Sequence, residues 1–351
     1  VLTMQAHKQH HPCGGSRTKG SFGASFGVTW LQRLGALIAL VALVAASTAG
    51  GSPSNSAQAS PGQLSTSMVE MLDGESGSGL VTLNELRWDI LGKYASIGQG
   101  KGIDVALIDT GVAPVAGLDG DNVLHGPDLS MEGSSDKAAY LDTYGHGTHM
   151  AGIIAGNRAG DLGIAPDARI VSLKVAGHDG ITTVPQVVAA IDWVVDHRNA
   201  DGLNIRVLNL SLGQSGIETH VGDHLSAAVE RAWHAGIVVV VAAGNGGQVQ
   251  KHLDSPAIDP YVVAVGAADS THDEDDRDER SVPGWSANGN GSRNPDLVTP
   301  GRSVASYRVP GSTIDLAAPN ARVGDDLFRG SGTSQSAAAT SGLAAALLSA
   351  H

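Results

Sequence analysis

The run Val105-Ala106-Leu107-Ile108, closed by Asp109-Thr110-Gly111, holds four apolar residues in succession and then breaks into a carboxylate and a turn. A strand with one wet face alternates apolar with polar side chains, so a run that is apolar at every position is covered on both faces. Working outward, Ile237 to Val241 and Val262 to Val265 repeat the pattern, and Ile170 to Val175 and Val207-Leu208-Asn209-Leu210 keep most of it, broken only by Ser172, Lys174 and Asn209. Between them Val187, Val188, Ile191, Val194 and Val195 keep helical spacing. A second helix is expected through Leu225, Val229, Ala232 and Trp233, stopped by Gly236 as a C-cap. Doubly covered strands that alternate with helices define an α/β fold with a doubly wound, mostly parallel sheet and helices on both faces. Reactive groups in such sheets collect at the carboxyl ends of strands, which makes Asp109 the first candidate.

Three further groups sit in comparable positions. Ser334 lies in Gly330-Ser331-Gly332-Thr333-Ser334-Gln335-Ser336, at the threshold of the uncharged run Ala337 to Leu348. A run without charge on any side reads as a helix buried all round, and its N-terminus offers unpaired N–H groups to a developing negative charge. Ser334 as a simple helix N-cap is the plain alternative. His146 lies in Gly145-His146-Gly147-Thr148-His149, ahead of small residues that suit a closely packed helix. It could equally be a core histidine, as His149 is expected to be. Asn245, in Ala242-Ala243-Gly244-Asn245-Gly246, follows a strand, and an αL turn residue among glycines is its plain reading. Together the four form a set that chemistry can use. A hydroxyl becomes a nucleophile when a neutral imidazole takes its proton and a buried carboxylate holds the imidazole tautomer. An amide such as that of Asn245 can then donate to an oxyanion.

Composition narrows the class. The chain has 351 residues, 16% charged, 4% aromatic, with 47 glycines and a formal net charge of −13. Residues 1–59 contain Lys8, Arg17, Lys19 and Arg33 and no acid, so the remainder carries 18 basic against 35 acidic residues. A body this acidic argues against nucleic acid as a partner. Cys13 is the only cysteine, which excludes an internal disulfide and thiolate-held zinc. The His7, His10 and His11 cluster reads as part of a solvated leader. The apolar run Leu34 to Ala46 is short for a membrane span and suits a signal-peptide core, with Ala57-Gln58-Ala59 or Ser47-Thr48-Ala49 as cleavage patterns. An uncleaved anchor is the alternative. The expected organisation is a basic leader and signal peptide over 1–59, a Gly/Ser-rich linker or mobile arm over 60–84, and one catalytic-type domain over 85–351. Trp88, Ile90, Leu91, Tyr94 and Ile97 form an apolar set expected to pack on that domain.

The order Asp, His, Ser with these flanks resembles the subtilisin-like serine proteases, the subtilases. The matching pieces are Val105 to Val112, His146-Gly147-Thr148-His149-Met150-Ala151-Gly152 and Gly332-Thr333-Ser334-Gln335-Ser336-Ala337. Gly163 to Pro166, Asn209 to Gly213, Ala242 to Asn245 and Val263 to Ala267 match family segments in order between them. The resemblance implies a serine endopeptidase acting on proteins or peptides. Ser334 would be the nucleophile, His146 the general base and then acid, Asp109 its orienter, and Asn245 a donor to the oxyanion. It further implies that Ser211, Leu212, Gly213, Ala242, Ala243 and Gly244 line the cleft and pair with an extended peptide. Gly246 puts no charge in the primary pocket, so a neutral or apolar substrate side chain is expected there. No cofactor is expected for the chemistry. The interval 157–162 is shorter than the family's strong calcium loop, and the acidic stretch Asp273 to Arg280 reads as a solvated loop before it reads as a calcium site. The expected state is a secreted monomer without stable membrane association after signal cleavage. Two departures stand out: Ala338 occupies the place of a usual proline, and the chain stops at His351, short of the family's usual domain end. Truncation at the C-terminus is therefore one expectation, and a subtilase-like peptide-binding protein impaired in turnover is the rival function. Ester hydrolysis by the same residues is a third.

Overall fold

The computed structural model describes residues 63–65, 79–92, 98–133, 138–269 and 281–351. The leader, the apolar run Leu34 to Ala46, both cleavage patterns, Tyr94, Ile97 and the acidic stretch Asp273 to Arg280 lie outside these residues. In chain order the first elements are β1 (Gln63–Ser65), α1 (Leu83–Leu91), β2 (Asp104–Asp109), β3 (Val123–Asp128) and α2 (His146–Ala155). There follow β4 (Asn157–Arg158), β5 (Asp161–Leu162), β6 (Arg169–Lys174), β7 (Ile181–Thr183), α3 (Val184–His197) and β8 (Ile205–Leu210). Next come α4 (His224–His234), β9 (Val238–Ala242), β10 (Val263–Ala268), β11 (Leu297–Pro300) and β12 (Val304–Tyr307). The chain closes with α5 (Thr313–Ala317), β13 (Arg322–Val323), β14 (Leu327–Gly330) and α6 (Thr333–Ser349).

Seven strands form the central sheet in the order β11-β10-β9-β8-β2-β6-β3, and every neighbouring pair is parallel. Each residue of β2 and of β9 is buried, as unbroken apolar runs require. On one face α3 and α4 bring Val187, Ile191, Val194, Leu225 and Val229 against Ala106, Ile108, Leu208, Leu210, Val239 and Val241. The opposite face carries α2 and α6. There Ser341 Oγ donates to Asn209 Oδ1 at 2.8 Å, which fixes Asn209 on the far side from Leu208 and Leu210. The strand period of two makes both facts consequences of one register. α6 lies so close that a Cβ on Gly342 would come within 2.6 Å of Ile164 Cβ. Small residues are what that depth of packing demands.

The helix ends follow local chemistry. Asp223 caps α4 by accepting from Ser226 N at 3.0 Å, and Thr183 N ahead of α3 donates to Gln186 Oε1 at 3.0 Å. Gly236, expected as the C-cap of α4, stands one residue beyond the cap, which is Ala235, and adopts φ +86°. Two expectations about the N-terminal part change. Residues 63–65, placed in a linker or mobile arm, form β1, which pairs antiparallel with β7 and buries Leu64 completely. Leu86 and Leu91 pack inward from α1, but Trp88 is 54% exposed, because helical spacing turns it to the opposite side. β3, β11 and the three-stranded sheet β12-β14-β13 had no distinct apolar run to announce them.

The strand order reverses at β2. Strands β6 and β3 lie to one side of it and β8 to β11 to the other, so the carboxyl ends of β2 and β8 meet at the switch point of the sheet. A crevice opens there in doubly wound folds. β2 ends at Asp109, and β8 runs on into Ser211-Leu212-Gly213.

Candidate active site

Asp109 and His146 are brought together by two elements that start and stop at the right place. β2 ends on Asp109, and α2 begins on His146 after Gly145, which takes φ +108° as the residue before the helix. The helix can approach the loop after Asp109 only because Gly147 lacks a side chain: a Cβ there would lie 2.2 Å from Gly111 O. His146 Nδ1 donates to Asp109 Oδ1 at 2.8 Å and lies 3.0 Å from Oδ2, with both residues fully buried. A carboxylate can only accept, so the proton sits on Nδ1 and Nε2 is the basic nitrogen. Asp109 Oδ1 also accepts from Thr110 N at 2.8 Å, so the aspartate both closes its turn and orients the imidazole.

Ser334 is the second residue of α6 rather than its cap, and the cap position belongs to Gly332. Its hydroxyl donates to Ser211 O at 3.2 Å, while Ser211 Oγ donates back to Ser334 O at 3.1 Å. His146 Nε2 has no hydrogen-bond partner among the described residues, so the Ser334–His146 link is not made in this structure. Asn245 is anchored to the same helix start: its Oδ1 accepts from Thr333 N at 2.9 Å and from Thr333 Oγ1 at 3.0 Å. That leaves its Nδ2 as the donor end, on the side of Gly332. The positive φ of this turn falls on Gly244, at +110°, and not on Asn245, which removes the αL reading.

The six residues expected to line the cleft divide in two. Gly213 O accepts from Ser65 N at 3.4 Å, so β1 already runs as an added strand between β7 and the Ser211–Gly213 segment. The Ala242–Gly244 segment does not offer such an edge. Ala243 N donates to Val265 O, Ala243 O accepts from Asp254 N, Gly244 N donates to Thr333 Oγ1 and Gly244 O accepts from Ala287 N. Its backbone is committed to the sheet and its neighbours, so Ala242 and Gly244 form a wall and Ala243 lies buried behind it. The pairing expected of this segment is corrected accordingly.

Several groups escaped the sequence reading. Asp142, fully enclosed, accepts from Thr110 Oγ1 (2.8 Å), Gly145 N (2.6 Å), Thr148 N (2.8 Å) and Thr148 Oγ1 (2.7 Å). It therefore ties the residue after Asp109 to the turn that carries His146. Lys174, buried at the end of β6, donates to Glu132 Oε2 at 2.7 Å and to Leu141 O, and holds the loop that leads into α2. Asp254 lines the crevice beside Ser334. His149 is a core residue as expected but not a hydrogen-bonded one: neither ring nitrogen has a partner among the described residues. Burial, with His146 adding to it, pushes its pKa down to about 3, so it stays neutral. Residues 157–162 form the β4–β5 hairpin, clamped by an Arg158–Asp161 ion pair of 2.7 Å. Among the described residues no group of three or more His, Cys, Asp or Glu could hold a metal ion, and no helix is long and apolar enough to cross a membrane.

Comparison with known proteins follows the same lines. The chain is 35% identical to serine protease AprX of Bacillus subtilis (strain 168) over 260 residues, which cover 71% of this chain and 57% of that protein. It is 37% identical to subtilisin DY of Bacillus licheniformis over 180 residues, covering 49% of this chain and 58% of that one. The chain thus spans a little over half the length of these curated relatives. A crystal structure of a cold adapted subtilisin-like serine proteinase superposes with a TM-score of 0.52 at 28% identity, over 71% of this chain and 76% of that one. The model of the subtilase family matches residues 100–351, and with the α/β architecture and the ordered motifs it carries, this chain belongs to the subtilase family.

Proposed function

We propose that the chain is a secreted serine endopeptidase that cleaves proteins or peptides through an acyl-enzyme on Ser334. The observation that carries the reading is the buried Asp109–His146 pair, whose geometry puts the proton on Nδ1 and leaves Nε2 basic. In the reaction His146 Nε2 takes the proton of Ser334 Oγ as the oxygen attacks the peptide carbonyl. The carbonyl oxygen becomes an anion and is met by Ser334 N–H, at the positive end of α6, and by Asn245 Nδ2. His146 then hands its proton to the leaving amine, and Asp109 stabilises the imidazolium in between. For the first step the Ser334 hydroxyl must turn from Ser211 O toward His146. All of these groups belong to the protein, and the reaction as drawn calls on no cofactor.

An extended substrate would take the place of β1, pairing with Gly213 and β7, with the Ala242–Gly244 wall opposite. Export rests on the run Leu34 to Ala46, which has the length of a signal-peptide core.

The test is labelling by a fluorophosphonate probe and casein hydrolysis, beside Ser334→Ala and His146→Ala. Labelling and hydrolysis that vanish in both variants are expected. A chain that is folded by circular dichroism yet neither labels nor cleaves would refute the peptidase reading and favour a peptide-binding protein. Hydrolysis confined to matched ester substrates would favour an esterase.

A further inference from the structure

The cavity beside Ser334 is lined by ten residues, of which Asp254 is the only charged one. It opens to solvent at its mouth, beside Ser334 and the Ser65 end of β1. Asp254 stands nine residues after Asn245, between the two segments that bound the crevice. A Cβ on Gly244 would lie 2.5 Å from Asp254 Oδ2, and one on Gly213 would lie 2.8 Å from Asp254 Cβ. Both glycines are thus what lets the carboxylate stand between the walls.

Strand direction shows which substrate side chain meets it. β1 is antiparallel to the segment ending at Gly213, so its chain direction carries it from Gly213 toward Ser211, whose carbonyl holds Ser334 Oγ. A peptide lying as β1 lies therefore brings its later residues to Ser334. The residue whose carbonyl carbon bonds to Ser334 Oγ has its side chain next to the cavity that Ser334, Asn245, Gly244 and Asp254 share.

Resting on the peptidase reading, we infer that Asp254 is a specificity-determining residue that selects substrates with Lys or Arg immediately before the cleaved bond. Asp254 Oδ1 accepts from Gln250 Nε2, a neutral donor, and among the described residues no ion pair compensates the carboxylate's charge. Burial pushes its carboxyl up to about 6, with the Gln250 amide working the other way. A desolvated carboxylate without a cation gains most from a substrate that brings one. The expectation of a neutral or apolar side chain, drawn from Gly246, is replaced by this one: Gly246 is exposed and outside the cavity lining, whereas Asp254 is part of it.

The experiment digests an unbiased peptide mixture with the full chain and reads, by mass spectrometry, the residue before each cut. It adds kcat/KM for two fluorogenic peptides that differ only in Lys or Phe at that position. Cuts concentrated after Lys and Arg are expected. Asp254→Asn should lower the Lys-over-Phe ratio about 10- to 100-fold, the range of a charge-assisted hydrogen bond, and Asp254→Glu should keep the sign of the preference. Cuts concentrated after apolar residues, or a ratio that Asp254→Asn leaves unchanged, would overturn the inference while the peptidase reading stands. A folded chain that neither cuts nor labels at Ser334 would overturn both.

Discussion

Asp142→Asn isolates the support beneath the candidate catalytic pair without touching either member. The native carboxylate has two oxygens and four donors: Oδ1 takes Thr110 Oγ1 and Gly145 N, and Oδ2 takes Thr148 N and Thr148 Oγ1. Asparagine keeps one acceptor oxygen. Whichever way its amide is turned, the NH₂ faces one backbone N–H, either that of Gly145 or that of Thr148. A hydroxyl can rotate away from such a conflict, but a peptide N–H cannot. One buried N–H left without an acceptor costs about 1–3 kcal/mol, and the loss of charge-assisted bonds brings the sum to about 2–4 kcal/mol. A domain of ordinary stability, about 5–15 kcal/mol, survives that loss, so the variant should fold and can be assayed. The turn holding His146 and the turn holding Asp109 would then shift relative to each other. Peptide hydrolysis should show kcat down by at least about tenfold with KM little changed, since the cleft segments are untouched. Urea unfolding should report the loss of stability. A variant that loses less than about 0.5 kcal/mol and keeps its kcat would refute the claim that Asp142 holds the two turns together.

Two further outcomes follow from the loop before α2 and from β1. Burial works against the charge of Glu132, but hydrogen bonds from Lys174, Thr143 and His178 outweigh it and hold its carboxyl at about 2, below the ordinary 4.5. With the folded value depressed, its stabilising contribution is complete above about pH 4.5 and is lost as pH falls through about 2. The gap in urea midpoint between the natural chain and Glu132→Gln should therefore be wide near pH 7 and narrow toward pH 3; an equal gap at both would exclude the linkage. Leu64 holds β1 in the groove with its side chain wholly buried, and a buried leucine is worth about 2–5 kcal/mol against truncation. In a chain that retains residues 63–65, Leu64→Asp should speed fluorophosphonate labelling of Ser334 and lower KM for peptides, whereas unchanged values would show that β1 does not compete with substrate.

Much of the sheet could be read from residue order alone, because a strand covered on both faces leaves a mostly apolar run, interrupted in β6 only by Ser172 and Lys174 and in β8 by Asn209. β2, β6, β8 and β9 fall within a residue or two of their expected spans, and β10 runs on three residues past its expected end at Val265. α6 announced itself in the same way, by lacking any charge. β3 did not: its six residues are only half-buried or exposed at the sheet edge, and Val-Leu-His-Gly-Pro-Asp has neither a clean period nor an unbroken apolar run. β1 was hidden for a different reason. Three residues in a Gly/Ser-rich stretch carry no periodic signal, and their strand exists only because β7 and Gly213 supply the partners. That is tertiary override of local propensity.

The site divides along the same line. Asp109, His146, Asn245 and Ser334 were legible because each sits where an element starts or stops, and such boundaries leave marks in glycine and small residues. Asp142 and Asp254 carry no such mark, and Lys174, although it ends β6, lies inside the run Ile170 to Val175. A lone Asp in a polar loop reads as solvated unless something buries it, and what encloses Asp254 comes from residues 211–213 and 242–245, distant in sequence. Burial is a property of the assembled walls, and it is burial that turns an ordinary carboxylate into a group with a preference for cations. On the proposed reading, the sequence shows more readily where a bond would be broken than which bond would be chosen: the first depends on residues placed by their own elements, the second on a side chain whose character is set by elements it does not belong to.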